Sequence, residues 1–327
     1  MRISIAMATY NGAAYIREQL ESFAVQRIQP DELVVTDDAS TDNTVEIVET
    51  FAESAPFEVK IYQNSFTLGY VQNFGKALSL CSGEMIFLSD QDDVWFPSKI
   101  EYLMDLADKY PNKSLFMNDA QLTDGDLNVS RFTKMGQIRD LGLSEKSFVM
   151  GCCIGIRKDL LKPLLPIPQA YSIAHDGWLV EIADLLDLRI IGEDVQQYYR
   201  IHGDNTSTFI ANTLSGMDPR YARKSLVRRV SEWVNTAKVG ILEKSIREKE
   251  LKLKVLERLL AVEKYRMSAE EKTEAMEAEV SRQKQRLAIL QMQNTFERIA
   301  EASRFYYRGN YKAFNGIRTY LSDLLHR

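Results

Sequence analysis

Three carboxylates stand within four residues at Asp90, Asp92 and Asp93. Like charges this close repel one another, and the arrangement costs stability unless a cation sits among them. An all-oxygen donor set favours hard divalent ions such as Mg2+ or Mn2+. Mg2+ in particular binds through one or two carboxylates together with substrate phosphates. A solvated acidic turn has the same composition, but it rarely needs an apolar follow-on like Val94-Trp95-Phe96. Upstream, Thr9-Tyr10-Asn11-Gly12 and Asp37-Asp38 also close apolar runs. Downstream, Asp176 lies between His175 and Gly177-Trp178, and His202 is one of only three histidines.

These residues need elements to position them. Ile3–Ala8 reads as a strand, followed by a turn at Asn11-Gly12 and a helix from about Ala13 to Val25 with Ile16, Leu20 and Phe23 on one face. Leu33–Val35 is a short buried strand that ends at Asp37-Asp38. The run Ser40-Thr41-Asp42-Asn43, with Glu46 three places on, predicts a capping box ahead of the helix carrying Val45, Val48 and Phe51. Phe57–Tyr62 and Met85–Leu88 are further strands, with a helix over Leu68–Leu80 between them. Strands separated by such helices build parallel sheets, and ligands of open α/β sheets sit beyond the carboxyl ends of the strands. Thr9, Asp37-Asp38 and Asp90–Asp93 are therefore expected in one cleft.

From Tyr110 to Ile201 the pattern is less regular. It holds an apolar segment at Phe148–Ile156, a helix near Gly177–Leu186 and a strand into Tyr198-Tyr199-Arg200. The polar stretch Thr206–Tyr221 places a boundary near residue 210, dividing an α/β domain (1–210) from a helical extension (211–327). Leu242, Ile246, Leu253, Leu256 and Leu260 recur at helical spacing. Ser268 with Glu271 forms a second capping box, before a stripe of Met276, Val280, Leu287 and Leu290, so a long helical hairpin is expected. From Tyr221 onward there are 23 basic and 14 acidic residues, net +9, whereas the first 220 residues hold 18 and 32, net −14. The last segment interleaves aromatics with bases: Arg304-Phe305-Tyr306-Tyr307-Arg308, Tyr311-Lys312, Phe314, Arg318 and Tyr320. Such a tail suits an anionic membrane surface, or it packs and self-assembles through its apolar stripe.

Several classes are excluded. No apolar run is long enough to span a membrane, and Met1-Arg2-Ile3-Ser4 reads as the start of a strand, not a signal peptide. Three cysteines, two of them adjacent, suggest a reduced, cytosolic setting and offer no zinc spacing. There is no Gly-x-x-x-x-Gly-Lys-Ser/Thr loop, no Gly-x-Gly-x-x-Gly after the first strand, and no nucleic-acid recognition motif.

Taken jointly, Ser4–Gly12, then Asp37-Asp38-Ala39-Ser40-Thr41-Asp42-Asn43-Thr44, then Asp90-Gln91-Asp92-Asp93-Val94-Trp95 resemble glycosyltransferase family 2 over roughly the first 205 residues. These are inverting GT-A enzymes that use nucleotide-diphosphate sugars. The Asp-Gln-Asp-Asp-Val-Trp form, with Asn64, Leu68-Gly69-Tyr70 and Asn73-Phe74, looks most like a bacterial rhamnosyltransferase-like branch that builds surface polysaccharides. The resemblance implies that Thr9 and Asn11 contact the nucleotide, and that Asp38 or Asp37 reads a pyrimidine base. Asp90 and Asp92 would hold a divalent cation, with His202 of Tyr199-Arg200-Ile201-His202-Gly203-Asp204-Asn205 as a further metal or diphosphate contact. Asp93 would face the sugar. Gly151-Cys152-Cys153-Ile154-Gly155 resembles the acceptor loop, although a buried strand fits it equally. Asp176 would be the base that deprotonates the acceptor hydroxyl. The family often carries Glu where this chain has His175, and Trp178 is either core or a platform for the acceptor sugar.

The implied reaction is a single displacement with inversion, taking a sugar from dTDP-rhamnose or a UDP-sugar to a glycan, expected to be lipid-linked at the inner face of the plasma membrane. A non-catalytic GT-A scaffold assembling through the helical tail is the alternative.

Overall fold

Four parallel strands form the first half of one sheet: β1 (Ile3–Thr9), β2 (Glu32–Asp37), β3 (Glu58–Gln63) and β4 (Met85–Ser89). They lie in the order β3-β2-β1-β4. The crossovers are helices α1 (Ile16–Ala24), α2 (Thr44–Ala52) and α3 (Tyr70–Leu80). β2 and β4 are buried at every position, which is why they read as continuous apolar runs instead of alternating ones. Thr9 pairs with Asp37 and Met7 with Ser89. The loops after β1, β2 and β4 therefore leave the sheet at the same end, as the strand pattern implies.

The second half is mixed. It comprises β5 (Val94–Trp95), α4 (Lys99–Lys109), β6 (Leu115–Thr123), β7 (Val129–Thr133), α5 (Lys134–Asp140), β8 (Ile154–Arg157), α6 (Lys158–Leu164), α7 (His175–Leu185) and β9 (Arg189–Arg200). The full order is β3-β2-β1-β4-β8-β6-β9-β5, with β7 on β6. β8 runs antiparallel to both β4 and β6, and β5 antiparallel to β9. Val94 pairs with Tyr198, so the segment just after the acidic cluster is stitched to the strand that ends at Arg200. The apolar follow-on is thereby explained: Trp95 is buried in the main core, with its ring 4.7 Å from Phe23.

The computed structural model describes residues 1–169, 174–203 and 239–324, and the chain divides into two compact units, Met1–Met217 and Asp218–Arg327. The expected boundary at 210, the polar stretch 206–221, Asp204, Asn205, His326 and Arg327 lie outside the described residues. In the second unit α8 (Val239–Leu259) and α9 (Arg266–Leu290) pair antiparallel, with Lys249 on Glu279 and Lys284 on Glu250. The expected hairpin continues into α10 (Thr295–Tyr307) and α11 (Ile317–Leu324).

Neither expected capping box forms. Asn43 makes no side-chain cap, because Asp42 accepts from the Thr44 backbone N–H at 3.0 Å instead. Ser268 lies inside α9, which starts at Arg266 after an uncapped Tyr265. The tail aromatics are also reassigned. Phe305 and Tyr311 are buried with Ile289 and Ala302, and Tyr306, Phe314 and Tyr320 pack around them. They form a small core of this unit, so most of the interleaved rings are not available to a lipid surface.

Candidate functional site

The loops beyond β1 and β2 are tied together by the residues the motif highlights. The Thr9 hydroxyl donates to Asp37 Oδ1 at 2.9 Å, and Asp37 also accepts from the Ser40 hydroxyl and backbone N–H at 2.5 and 2.9 Å. Asp38 accepts from Asn64 Nδ2 (2.8 Å), Leu68 N (2.7 Å) and Gly69 N (2.9 Å), which holds the loop into α3. Asn11, at a positive φ of 46°, accepts from Thr41 N at 2.8 Å. Thr9, Asp37 and Asp38 are buried. Each is thus committed to loop architecture, while the ring of Tyr10 beside them is half exposed.

Gln91, which the motif reading passes over, clamps this region to the acidic cluster. Its carboxamide accepts from Tyr10 N at 2.9 Å and donates to Tyr10 O at 3.0 Å, pairing like a strand residue. A Cβ on Gly12 would overlap that carboxamide, so a side chain there would push Gln91 off its two bonds to Tyr10.

The acidic residues separate into two groups. Asp92 Oδ2 lies 2.8 Å from His202 Nε2, across 110 residues of sequence. Arg200 braces the pair: its Nε donates to the Asp92 carbonyl at 2.8 Å, and its guanidinium also meets Glu18 and lies over the Tyr15 ring. Asp93 is fully buried, accepting from Gln197 Nε2 at 2.9 Å and from Arg200 N at 3.2 Å. Asp90, Asp93 and Cys152 bring ligand atoms within 4.8 Å of one another. Burial, then the charges of Asp92 and Asp176, pushes Asp90 up to about 7. Burial, then Asp92 and Asp90, holds Asp93 well above the carboxylate range.

Burial also raises the Cys152 thiol well above its usual value and lowers the wholly buried Lys99 to about 8. A protonated thiol is a poor ligand for a hard ion. Among the described residues, the set gathered within 4.8 Å is Asp90, Asp93 and Cys152, and not the expected Asp90, Asp92 and His202. Carboxylate oxygens suit Mg2+ or Mn2+, and an added cation would relieve the repulsion that raises Asp90 and Asp93.

Asp176 sits in the first turn of α7, accepting from Gly177 N at 2.7 Å. Its charge contributes to raising Asp90. His175 before it is buried and stacked on Phe74 at 3.9 Å. Among the described residues neither of its ring nitrogens has a hydrogen-bond partner, and burial lowers its pKa, so the ring packs as an uncharged wedge. Gly151 makes room for that wedge: a Cβ there would stand 2.9 Å from His175 Nε2.

Two expected sugar contacts are corrected. Trp178 is fully buried and donates from Nε1 to Leu164 O at 3.0 Å, so it is core and not a sugar platform. Cys152 is likewise fully buried, with Gln197 Nε2 3.1 Å from its sulfur.

Comparison with known proteins bears on this arrangement. Residues 4–165 match the sequence model of the family described as Glycosyl transferase family 2. An uncharacterized glycosyltransferase of Nostoc sp. is 26% identical over 253 residues, covering 74% of this chain and 77% of that one. A dTDP-rhamnosyl transferase, RfbG, of Shigella flexneri is 39% identical over 103 residues, 30% of this chain and 36% of its own. Among solved structures, residues 1–349 of S. aureus TarS in complex with UDP superpose with a TM-score of 0.52 at 20% identity, over 86% of this chain and 90% of that one. The fold is GT-A-like, as expected from the motifs.

Proposed function

From a chain that carries a glycosyl transferase family 2 domain in residues 4–165, we propose an inverting, cation-dependent glycosyltransferase that takes its sugar from a nucleotide diphosphate. The observation that carries this reading is the cluster of Asp90, Asp93 and the Asp92–His202 pair just beyond β4, with Asp176 near enough for its charge to raise Asp90. In this reading residues 1–210 are the catalytic domain and 211–327 a helical extension.

The loops braced by Thr9, Asn11, Asp37 and Asp38 form the nucleotide cradle, with Tyr10 offering a half-exposed ring beside it. Asp90, Asp92 and His202 hold the divalent cation, which when bound neutralises charge on the leaving diphosphate. Asp93 is buried with both oxygens engaged, so in place of the expected direct contact with the sugar it acts in transfer by holding the acidic loop from behind. Asp176 accepts the proton of the acceptor hydroxyl on the opposite face of the anomeric carbon. With one base and no enzyme nucleophile, the displacement inverts the anomeric centre. The His175 wedge on Phe74 fixes the first turn of α7 and so the direction from which Asp176 works. The partial likeness to a dTDP-rhamnosyl transferase and the UDP bound to TarS support a pyrimidine donor. A surface glycan, lipid-linked at the membrane, is the acceptor we favour. A non-catalytic scaffold would have no need to retain Asp92, Asp176 and His202 together.

Thermal protection by UDP, dTDP and GDP, each with and without Mn2+, tests this directly. Protection by a pyrimidine diphosphate that depends on Mn2+ is the expected result. Indifference to all three would overturn the reading.

A further inference from the structure

Lys99 is fully buried at the start of α4. An ammonium has three N–H donors and no acceptor, and three partners surround this one. Its Nζ donates to Cys152 O at 2.5 Å and to Gln197 Oε1, and it lies 3.8 Å from the centre of the Trp95 ring. The contact with Gln197 settles which way that carboxamide points. Only the oxygen can face an ammonium, so the amide nitrogen must face the other way. There it donates to Asp93 Oδ2 at 2.9 Å and meets Cys152 Sγ at 3.1 Å. Arg200 N occupies the other oxygen of Asp93 at 3.2 Å.

We infer that Lys99 and Gln197 are positioning residues for Asp93: the buried ammonium orients the Gln197 carboxamide, and the carboxamide aims the Asp93 carboxylate. The relay spans 104 residues between Asp93 and Gln197 and joins the acidic loop, α4, the turn at Cys152 and β9. A tie needed only for stability could be apolar, since well-packed hydrophobic residues commonly replace buried charges at no loss. A cation whose partner holds a carboxylate of the site has a directional task that packing alone does not require. The inference rests on the reading of Asp93 as a group that acts in transfer.

A double-mutant cycle tests it. Lys99→Met, Asp93→Asn and the double variant are compared for kcat and KM of nucleotide diphosphate release, with Mn2+ and the UDP- or dTDP-sugar that best protects the protein, and for Tm. We expect Asp93→Asn to lower kcat by about 10-fold or more, and Lys99→Met to lower it about 10-fold alone but by less than about 2-fold in the Asp93→Asn background. The Tm cost of Lys99→Met should be the same in both backgrounds. Additive losses in kcat overturn the relay while leaving the role of Asp93 intact. Wild-type kcat in Asp93→Asn overturns the reading of Asp93 and the relay with it. Should Lys99→Met not fold, Gln197→Glu serves: it keeps an oxygen acceptor for Lys99 but turns a second carboxylate oxygen toward Asp93. A fall in kcat at temperatures well below the variant's own Tm is expected there, and wild-type kcat refutes the relay.

Discussion

His202 Nε2 and Asp92 Oδ2 lie 2.8 Å apart, although one follows β4 and the other follows β9. The antiparallel pairing of Val94 with Tyr198 brings them together, so the pair is a consequence of sheet topology and not of local sequence. An imidazole on a carboxylate beside further carboxylates is a ready donor set for a divalent ion. Asp92→Asn is expected to abolish transfer and Mn2+-dependent binding of nucleotide diphosphate, since an amide cannot supply the negative charge. His202→Ala should weaken the apparent Mn2+ affinity more than it lowers kcat at saturating Mn2+. Titration of nucleotide diphosphate binding against Mn2+ checks both, and unchanged Mn2+ dependence in Asp92→Asn would remove this pair from the metal site.

Asp176→Asn is expected to keep the fold and donor binding but to cut transfer by ~10²-fold or more, the usual contribution of a general base. Single-turnover transfer at saturating donor is the measurement. Turnover within a few-fold of wild type would move the role of base to another carboxylate.

Strand ends were the legible part of this site. Apolar runs that stop at Thr9, Asp37 and Ser89 mark the carboxyl edge of the sheet, and a parallel sheet puts ligands there. What lay beyond reading was the identity of the partners. Lys99 and Gln197 belong to no motif, and only the β5–β9 pairing makes them neighbours. Trp178 shows the opposite failure: its place next to the Asp176 turn fits a sugar platform, yet α7 turns that face toward α6 and the ring is sealed. The capping boxes failed because Asp42 and the turn before Arg266 offered the backbone other solutions. In the tail, aromatics spaced between bases look alike whether they face lipid or each other, and ring-to-ring packing decides it.

That packing narrows the tail prediction. Phe296 and Tyr307 are each 86% exposed, and Arg308, Lys312 and Arg318 are exposed. Near an anionic leaflet each base contributes ~1 kcal/mol, so reversible binding to anionic vesicles is expected, weakened by salt and by Phe296→Ser with Tyr307→Ser. Co-sedimentation with anionic and neutral liposomes decides it. Indifference to anionic vesicles at low salt assigns the tail to packing or self-assembly.

Inside the same unit, Arg286 grips Asp323 through Nε at 2.8 Å and a second nitrogen at 2.9 Å, and Tyr311 donates to that carboxylate at 2.9 Å. Both charged side chains are buried. Asp323→Ala removes the carboxylate from a buried guanidinium and is expected to cost about 3–5 kcal/mol. Denaturant unfolding followed by helical circular dichroism should show the C-terminal helices melting early. A shift below about 1 kcal/mol would mean that water reaches Arg286 once its partner is gone.

At the opposite end of the sheet from the site, Glu32 is fully buried at the start of β2. Burial alone would raise its pKa, but donors from Lys60 (2.7 Å), Ser4 (2.5 Å) and Ser82 (2.6 and 2.8 Å) outweigh that and lower it from 4.5 to about 2. A carboxyl whose folded pKa lies below its unfolded value stabilises the protein fully above the unfolded pKa, and that stabilisation is lost as pH falls through the folded one. The window here runs from about 4.5 down to about 2, and the shift corresponds to about 3 kcal/mol. Glu32→Gln should therefore be less stable than wild type at pH 7, and the gap should close as pH drops below 4.5. Urea unfolding of both proteins between pH 7 and pH 3 measures it. A gap that stays constant over this range would mean that the contribution of Glu32 is its hydrogen-bonded shape and not its charge.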